Sequence, residues 1–209
     1  MGERGRILLG LGISAAGAAL LAREAWEGEV TGLDRAVIAT VRPILSPALG
    51  RAAEIVSFFG GDVFLALLVA LAAGILLARG ARFDALWLIV TALAGGIAIS
   101  LLKRLIGRAR PDLWHFGPPE TTYAFPSGHT GGSIVVYGAL AFFLASAFPR
   151  ARAAIVVAAA AIVIAIGFSR IILGVHWPTD VLGATFLGFG WLLLMLAARG
   201  RLAARRATA

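Results

Sequence analysis

His176 and Asp180 stand four residues apart, and His129 follows directly on Pro126-Ser127-Gly128. Arg170 lies in the polar cluster of His176 and Asp180, and Lys103 and Arg110 lie in a third cluster that precedes His129. A carboxylate within a turn of an imidazole can bond one ring nitrogen, fix the tautomer and leave the other nitrogen free to attack. A second imidazole can protonate a leaving alkoxide. Lysine and arginine can stabilise the charge that spreads over a transferring phosphoryl group, and the guanidinium fork grips phosphate oxygens in pairs. A helix starting near Ser127 would add free backbone N–H groups and a positive dipole end. Gly128 then clears room for an anion to meet the backbone. Together these groups can carry out phosphoryl transfer without a metal. The residues alone leave open which histidine attacks, although the carboxylate near His176 favours that one.

Singly, each residue has an ordinary explanation. Lys103 and Arg110 could anchor helix ends, Ser127 could simply cap a helix, and Asp180 beside Pro178 could be first-turn chemistry. The case rests on all of them sharing one face, and composition says what kind of face that is. Of 209 residues, 60% are hydrophobic and 14% charged, against roughly 25% charged in soluble domains. That much apolar surface needs a bilayer. The net charge of +8 is scattered in short basic clusters between apolar runs, as the positive-inside rule produces, so no nucleic-acid partner is expected. The absence of cysteine removes disulfides, thiolate metal sites and cysteine nucleophiles. Three histidines without an H-E-x-x-H pattern make a zinc site improbable, and neither metal nor cofactor is expected.

Six apolar runs predict an all-α, integral-membrane six-helix bundle in one domain: Ile7–Ala22, Val63–Ala78, Ala85–Leu102, Gly131–Phe148, Ala153–Phe168 and Val181–Ala198. Each falls a little short of the ~20 residues that cross a bilayer, a gap that flanking arginines can close by snorkelling. Unbroken apolar runs select helices over barrel strands. The first run is read as a span and not a signal peptide, because no cleavage site stands before Arg23. Six spans put both termini on one side with ten of the 19 cations. Several of these cations lie beside short turns, while the others lie mostly in the long segments 23–62 and 103–130. The termini are therefore expected in the cytoplasm, and all three clusters outside it, in the inner (plasma) membrane. Within 23–62, Leu33, Val37, Val41 and Ile44 recur at helical spacing opposite Asp34, Arg35 and Arg42, which predicts an interfacial amphipathic helix. His115, with Trp114 and Phe116, reads as interfacial loop chemistry outside the reacting set.

The three clusters resemble the signature of the type 2 phosphatidic acid phosphatase superfamily: K-x6-R-P at Lys103–Pro111, P-S-G-H at Pro126–His129, and S-R-x5-H-x3-D at Ser169–Asp180. Every fixed position is present, and the resemblance runs from about residue 55 to 198, taking in Phe59-Gly60-Gly61. It implies a metal-independent lipid phosphatase. His176 would be the nucleophile that forms a phosphohistidine, Asp180 its orienting carboxylate and His129 the general acid. Lys103, Arg110, Ser127, Gly128 and Arg170 would hold the phosphoryl oxygens. Similar bacterial proteins suggest undecaprenyl diphosphate, phosphatidic acid or phosphatidylglycerophosphate as substrate. An exterior site suits carrier-lipid recycling and so leans toward the first. The alternatives are transfer of the phosphoryl group to another lipid, and a non-catalytic binder or transporter of anionic lipid. Binding alone gives no reason for the His176–Asp180 spacing.

Overall fold

A computed structural model describes residues 2–114, 116–117 and 120–207. The described residues form α1 (Glu3–Trp26), α2 (Gly32–Val41), α3 (Pro47–Phe58), α4 (Asp62–Ala78), α5 (Arg82–Ile106), α6 (Gly128–Ala147), α7 (Arg152–Ile172) and α8 (Pro178–Ala207), with no strand among them. Six helical stretches are long and apolar enough to cross a bilayer: Arg4–Trp26, Pro47–Ala78, Arg82–Ile106, Gly128–Ala147, Pro149–Ile172 and Pro178–Arg206. Large apolar side chains point outward, with Val63 at 76% and Val157 at 67% exposure. In water such a surface would aggregate; in lipid it is at rest. The chain is a multi-pass membrane protein with the expected all-α fold.

The helices outrun the apolar runs that predict them. α5 runs on to Ile106, α6 begins at Gly128, α7 ends at Ile172 and α8 begins at Pro178. Helices stop where backbone hydrogen bonding stops, not where hydropathy falls, so polar residues ride on the extra turns. Lys103, His129, Arg170 and Asp180 all sit on these extensions, at one end of the bundle. α5 stops at Gly107, whose φ of 66° gives it the left-handed conformation that closes many helices.

The segment 23–62 is largely helical and buries Asp34, Gly50, Ala53 and Ser57. α2 starts with a capping box, in which Thr31 Oγ1 accepts from Asp34 N at 3.0 Å and Asp34 Oδ2 from Thr31 N at 3.2 Å. Asp34 alone departs from the expected arrangement: placed on the wet face by periodicity, it is completely buried, while Leu33 and, just beyond α2, Ile44 are 45% and 64% exposed, as an apolar face turned to lipid would be. Asp34 turns inward because a buried arginine from another helix end lies there, a partner that periodicity cannot register. α3 starts at Ser46, whose Oγ accepts from Leu49 N at 3.2 Å, and α3 meets α4 at a break over Phe59–Gly61.

The core joins Leu65 and Val69 of α4, Trp87 and Leu88 of α5, Val136 and Ala139 of α6, and Leu192 of α8. Lipid supplies no hydrophobic drive between helices, so close packing and interhelical hydrogen bonds hold the bundle, the bonds at about 1 kcal/mol each. Trp87 Nε1 donates to the Met195 carbonyl at 2.9 Å and Trp191 Nε1 to the Thr91 carbonyl at 2.9 Å, tying α5 to α8 twice.

The three spans between them predict that Leu113, 41% exposed at the end bearing the three clusters, lies across the membrane from Ala204. The chain has no cysteine of its own, so Leu113→Cys and Ala204→Cys report their positions cleanly. In intact cells an impermeant thiol reagent should label only Leu113→Cys. Labelling of both, or of Ala204→Cys alone, would break the topology or reverse it.

Candidate active site

His176 lies just ahead of α8, whose first turn holds the carboxylate that reaches it. Pro178 occupies the first helical position, where its missing N–H costs nothing. Asp180 Oδ2 accepts from the Trp177 N–H at 2.8 Å and faces His176 Nδ1 at 3.3 Å. The spacing of four does bring carboxylate to imidazole, through a capped helix start and not a continuous helical turn. On the opposite edge, His176 Nε2 lies 3.3 Å from Arg110 Nη1. Guanidinium nitrogens are donors only. Nε2 must therefore turn its lone pair toward Arg110, and the ring proton must sit on Nδ1, toward Asp180. The tautomer is set from both sides. His176 is 2% exposed, and burial, helped by Arg110, Arg170 and Lys103, holds its pKa well below the usual imidazole range. A neutral, oriented imidazole whose Nε2 carries no proton is equipped for nucleophilic attack.

Beside that lone pair two arginines converge on one carboxylate. Arg110 is locked by Nε to the Thr122 carbonyl and Nη1 to the Val175 carbonyl, both at 2.6 Å, and its Nη2 lies 3.4 Å from Glu120 Oε2. Arg170, on the last turn of α7, donates from Nη1 to Ser57 Oγ at 2.5 Å and from Nη2 to Glu120 Oε1. Its Nε is buried and has no partner among the described residues. Burial pushes the Glu120 carboxyl up, but Arg170 and Arg110 outweigh that effect and hold its pKa below the ordinary value. An ionised carboxylate thus fills a space framed by guanidinium donors.

The remaining members of the expected set border this space. Lys103 Nζ donates to the Tyr123 carbonyl at 2.6 Å, and its Cε is 3.7 Å from where a side chain on Gly128 would begin. Ser127 caps α6 as expected, with Oγ accepting from Thr130 N at 3.5 Å and Thr130 Oγ1 at 3.2 Å. The Ser127 N–H donates to the Asp180 carbonyl at 3.2 Å, which stitches the starts of α6 and α8 together. His129 packs against the α3–α4 break and has no hydrogen bond to His176 among the described residues. A Cβ on Gly60 would come within 2.5 Å of Ile166 Cγ2 and 3.4 Å of His129 Cβ, so the break passes close to α6 and α7 only because glycine stands there.

Three residues outside the expected set belong to the site: Glu120, Arg108 and Asp34. Arg108 is 4% exposed. It donates from Nη1 to Asp180 Oδ1 and Thr179 Oγ1, both at 2.7 Å, and from Nη2 to the Glu29 carbonyl at 2.7 Å and Asp34 Oδ2 at 3.0 Å. Asp34 also accepts from the Thr179 N–H and hydroxyl, both at 2.9 Å. The capping box marks Asp34 in the sequence but gives it only a local role, and no spacing rule singles out Glu120. Trp114 is packed and not a free interfacial ring, since its Nε1 donates to the Ile172 carbonyl at 2.7 Å. His115 lies outside the described residues.

Comparison with known proteins gives the family. The model of the PAP2 superfamily matches residues 84–203, and the chain belongs to that superfamily. Phosphatidylglycerophosphatase B of Bacillus subtilis (strain 168) is 32% identical over 187 residues, spanning 87% of this chain and 89% of that protein. The lipid A 1-phosphatase of Rhizobium etli is 33% identical over 187 residues, spanning 78% of this chain and 75% of the relative. The crystal structure of the first transmembrane PAP2-type phosphatidylglycerolphosphate phosphatase from Bacillus subtilis superposes with a TM-score of 0.79 at 27% identity, covering 90% of this chain and 96% of that one. The chain is a membrane phosphatase of the PAP2 type.

The tautomer and the lowered pKa of His176 can be tested together. The chain holds only three imidazoles, so nitrogen-15 resonances of labelled histidine can be assigned with single His→Gln variants. An ordinary imidazole is about nine-tenths protonated at pH 5.5. His176 should remain neutral there, with its proton on Nδ1. A His176 resonance that titrates near pH 6.5 would refute the electrostatic account.

Proposed function

We propose that the chain removes a terminal phosphate from a membrane lipid phosphate through a phosphohistidine on His176, from the outer side of the cytoplasmic membrane. The observation that carries the reading is the lone pair of His176 Nε2 lying beside Arg110, whose other arm and Arg170 hold an anion. In this reading Nε2 attacks phosphorus and the bond to the lipid oxygen breaks. His129 gives that oxygen its proton. Asp180 steadies the positive imidazole through Nδ1–H. Water, deprotonated by His129, then takes the phosphoryl group from Nε2, and inorganic phosphate leaves. Lys103, Arg110, Arg170, Gly128 and the start of α6 at Ser127 hold the phosphoryl oxygens throughout, and the unpartnered Arg170 Nε is a donor ready for one of them. Such donors supply the stabilisation that a metal would otherwise give. Among the described residues no group of three His, Asp or Glu side chains gathers as a metal site needs.

Similarity over most of its length to phosphatidylglycerophosphatase B favours phosphatidylglycerophosphate over the other two candidate lipids. The outward site is the support for undecaprenyl diphosphate. The purified protein should release phosphate from phosphatidylglycerophosphate in excess chelator, faster than from phosphatidic acid or undecaprenyl diphosphate. A rapid quench should trap acid-labile phosphate on the wild type and none on His176→Ala. Loss of activity with chelator, restored by magnesium, would overturn the metal-free mechanism. Phosphate trapped on His176→Ala would overturn the choice of nucleophile.

Glu120 has a place in this scheme as the anion that substrate must displace. A phosphomonoester carries about −1.5 to −2 charges near neutral pH, more than the single charge of a carboxylate, and so competes well for two arginines. Glu120→Gln should let inorganic phosphate inhibit at lower concentration. The expected shift is roughly two- to fivefold, the factor set by ~0.5–1 kcal/mol of partly exposed ion pairing. Unchanged inhibition would show that Glu120 does not compete for the cradle.

A further inference from the structure

Asp34 is the most deeply buried charge that the proposed mechanism does not use. It lies on the ten-residue helix α2, outside the stretch matched by the superfamily model, yet it is 0% exposed. A helix of this kind docks more cheaply through apolar side chains, because replacing a buried ion pair by well-packed hydrophobic residues is often neutral or stabilising. Docking therefore gives no sufficient reason for an aspartate here. Its contacts supply a better one. Asp34 Oδ1 accepts from the Thr179 N–H at 2.9 Å in the first turn of α8, and Oδ2 takes the Nη2 arm of Arg108 at 3.0 Å. The other arm, Nη1, holds Asp180 Oδ1 at 2.7 Å. Asp180 is thereby left with Oδ2 for Trp177 N at 2.8 Å and His176 Nδ1 at 3.3 Å.

An arginine and a carboxylate left to themselves favour the two-pronged pair, with both Nη groups on both oxygens. Without Asp34 the Nη2 arm would keep only the neutral Glu29 carbonyl at 2.7 Å, and the charged Asp180 would compete for it, drawing Oδ2 away from the imidazole. We infer that Asp34 is a positioning residue for the phosphatase reaction: by holding one arm of Arg108 and the start of α8, it keeps Asp180 Oδ2 on His176. Its effect passes entirely through Asp180. The inference rests on the reading of His176 as nucleophile, and it predicts that Asp34 matters only while the Asp180 carboxylate is present.

The test is a double-mutant cycle in the full-length detergent-purified protein, with para-nitrophenyl phosphate and phosphatidylglycerophosphate as probes. Asp34→Asn should lower kcat by about 10- to 100-fold, the usual cost of losing an outer partner of a working histidine, with KM little changed. In the Asp180→Asn background the same change should cost less than about twofold, because independent effects would multiply in full. Asp34→Glu should restore part of kcat. A general packing role would lower activity in both backgrounds alike, and that outcome sinks the proposal, as does a wild-type kcat in Asp34→Asn. If Asp34→Asn does not fold, Arg108→Lys serves in its place. A lysine lacks the fork that serves both carboxylates at once, so its kcat loss should likewise vanish in Asp180→Asn, and a loss that persists there refutes the inference. Failure of the underlying reading looks different, since His176→Ala would then retain turnover or the wild type would have none.

Discussion

The Arg108 guanidinium is shared between Asp34 and Asp180 in a bundle whose outer surface is apolar. A buried charge left alone in such surroundings would cost several kcal/mol, and a bare pair recovers that only with good geometry and further hydrogen bonds. Arg108 has both, because the Thr179 hydroxyl and the Glu29 carbonyl take the remaining N–H donors of its two Nη groups. The bridge also dictates where several elements lie. α2 must dock with Asp34 inward, α8 must begin where Thr179 and Asp180 meet the guanidinium, and the chain after α5 must turn at Gly107 to bring Arg108 in. His176 then stands beside Asp180 with one ring nitrogen already engaged.

Charge divides around that imidazole. On its Nδ1 side one arginine faces two carboxylates, Arg108 against Asp34 and Asp180, which leaves one negative charge behind the ring. On its Nε2 side Lys103, Arg110 and Arg170 gather with Glu120 between the two arginines. An imidazole that attacks phosphorus becomes positive while the phosphoryl group stays negative. The negative excess suits the first change and the cations suit the second. The gradient is built before substrate arrives, which is why donors fixed in a dry site stabilise a transition state better than mobile water does.

Much of this was legible in the sequence, and what was hidden shares a cause. Apolar runs announce spans because lipid leaves the backbone no other way to satisfy itself. The signature residues announce the cradle because they fall on helix ends that parity puts on one face. Helix lengths were underestimated because hydropathy fades on the turns where the working residues sit. Asp34 and Glu120 were missed for a related reason. A helical period assigns a lone aspartate to water, and only the fold reveals that Arg108, 74 residues further on, waits on the inner face. Glu120 meets Arg170 across 50 residues of chain, in a segment with no period to read. Long-range ion pairs leave no trace in local pattern, so charge that patterning assigns to the surface is where a single sequence misleads most.

Burial acts on the imidazole and on the cradle in opposite ways. Removing water lowers the His176 pKa and so keeps neutral an imidazole that ordinary exposure would leave mostly protonated below pH 6.5. The same loss of water makes every unpaired cation costly, and the substrate-free cradle would hold several. Glu120 relieves that cost while the site is empty, as do the carbonyls of Thr122, Tyr123 and Val175. These partners differ in kind. The carbonyls are fixed in the backbone and can stay bonded when a phosphate enters, which holds Arg110 and Lys103 in position. Glu120 is a side chain bearing a full charge, and in the proposed scheme it yields its arginine arms to a stronger anion. A dry site for an anionic substrate thus needs both, fixed neutral acceptors to hold the cations and one displaceable anion to balance them.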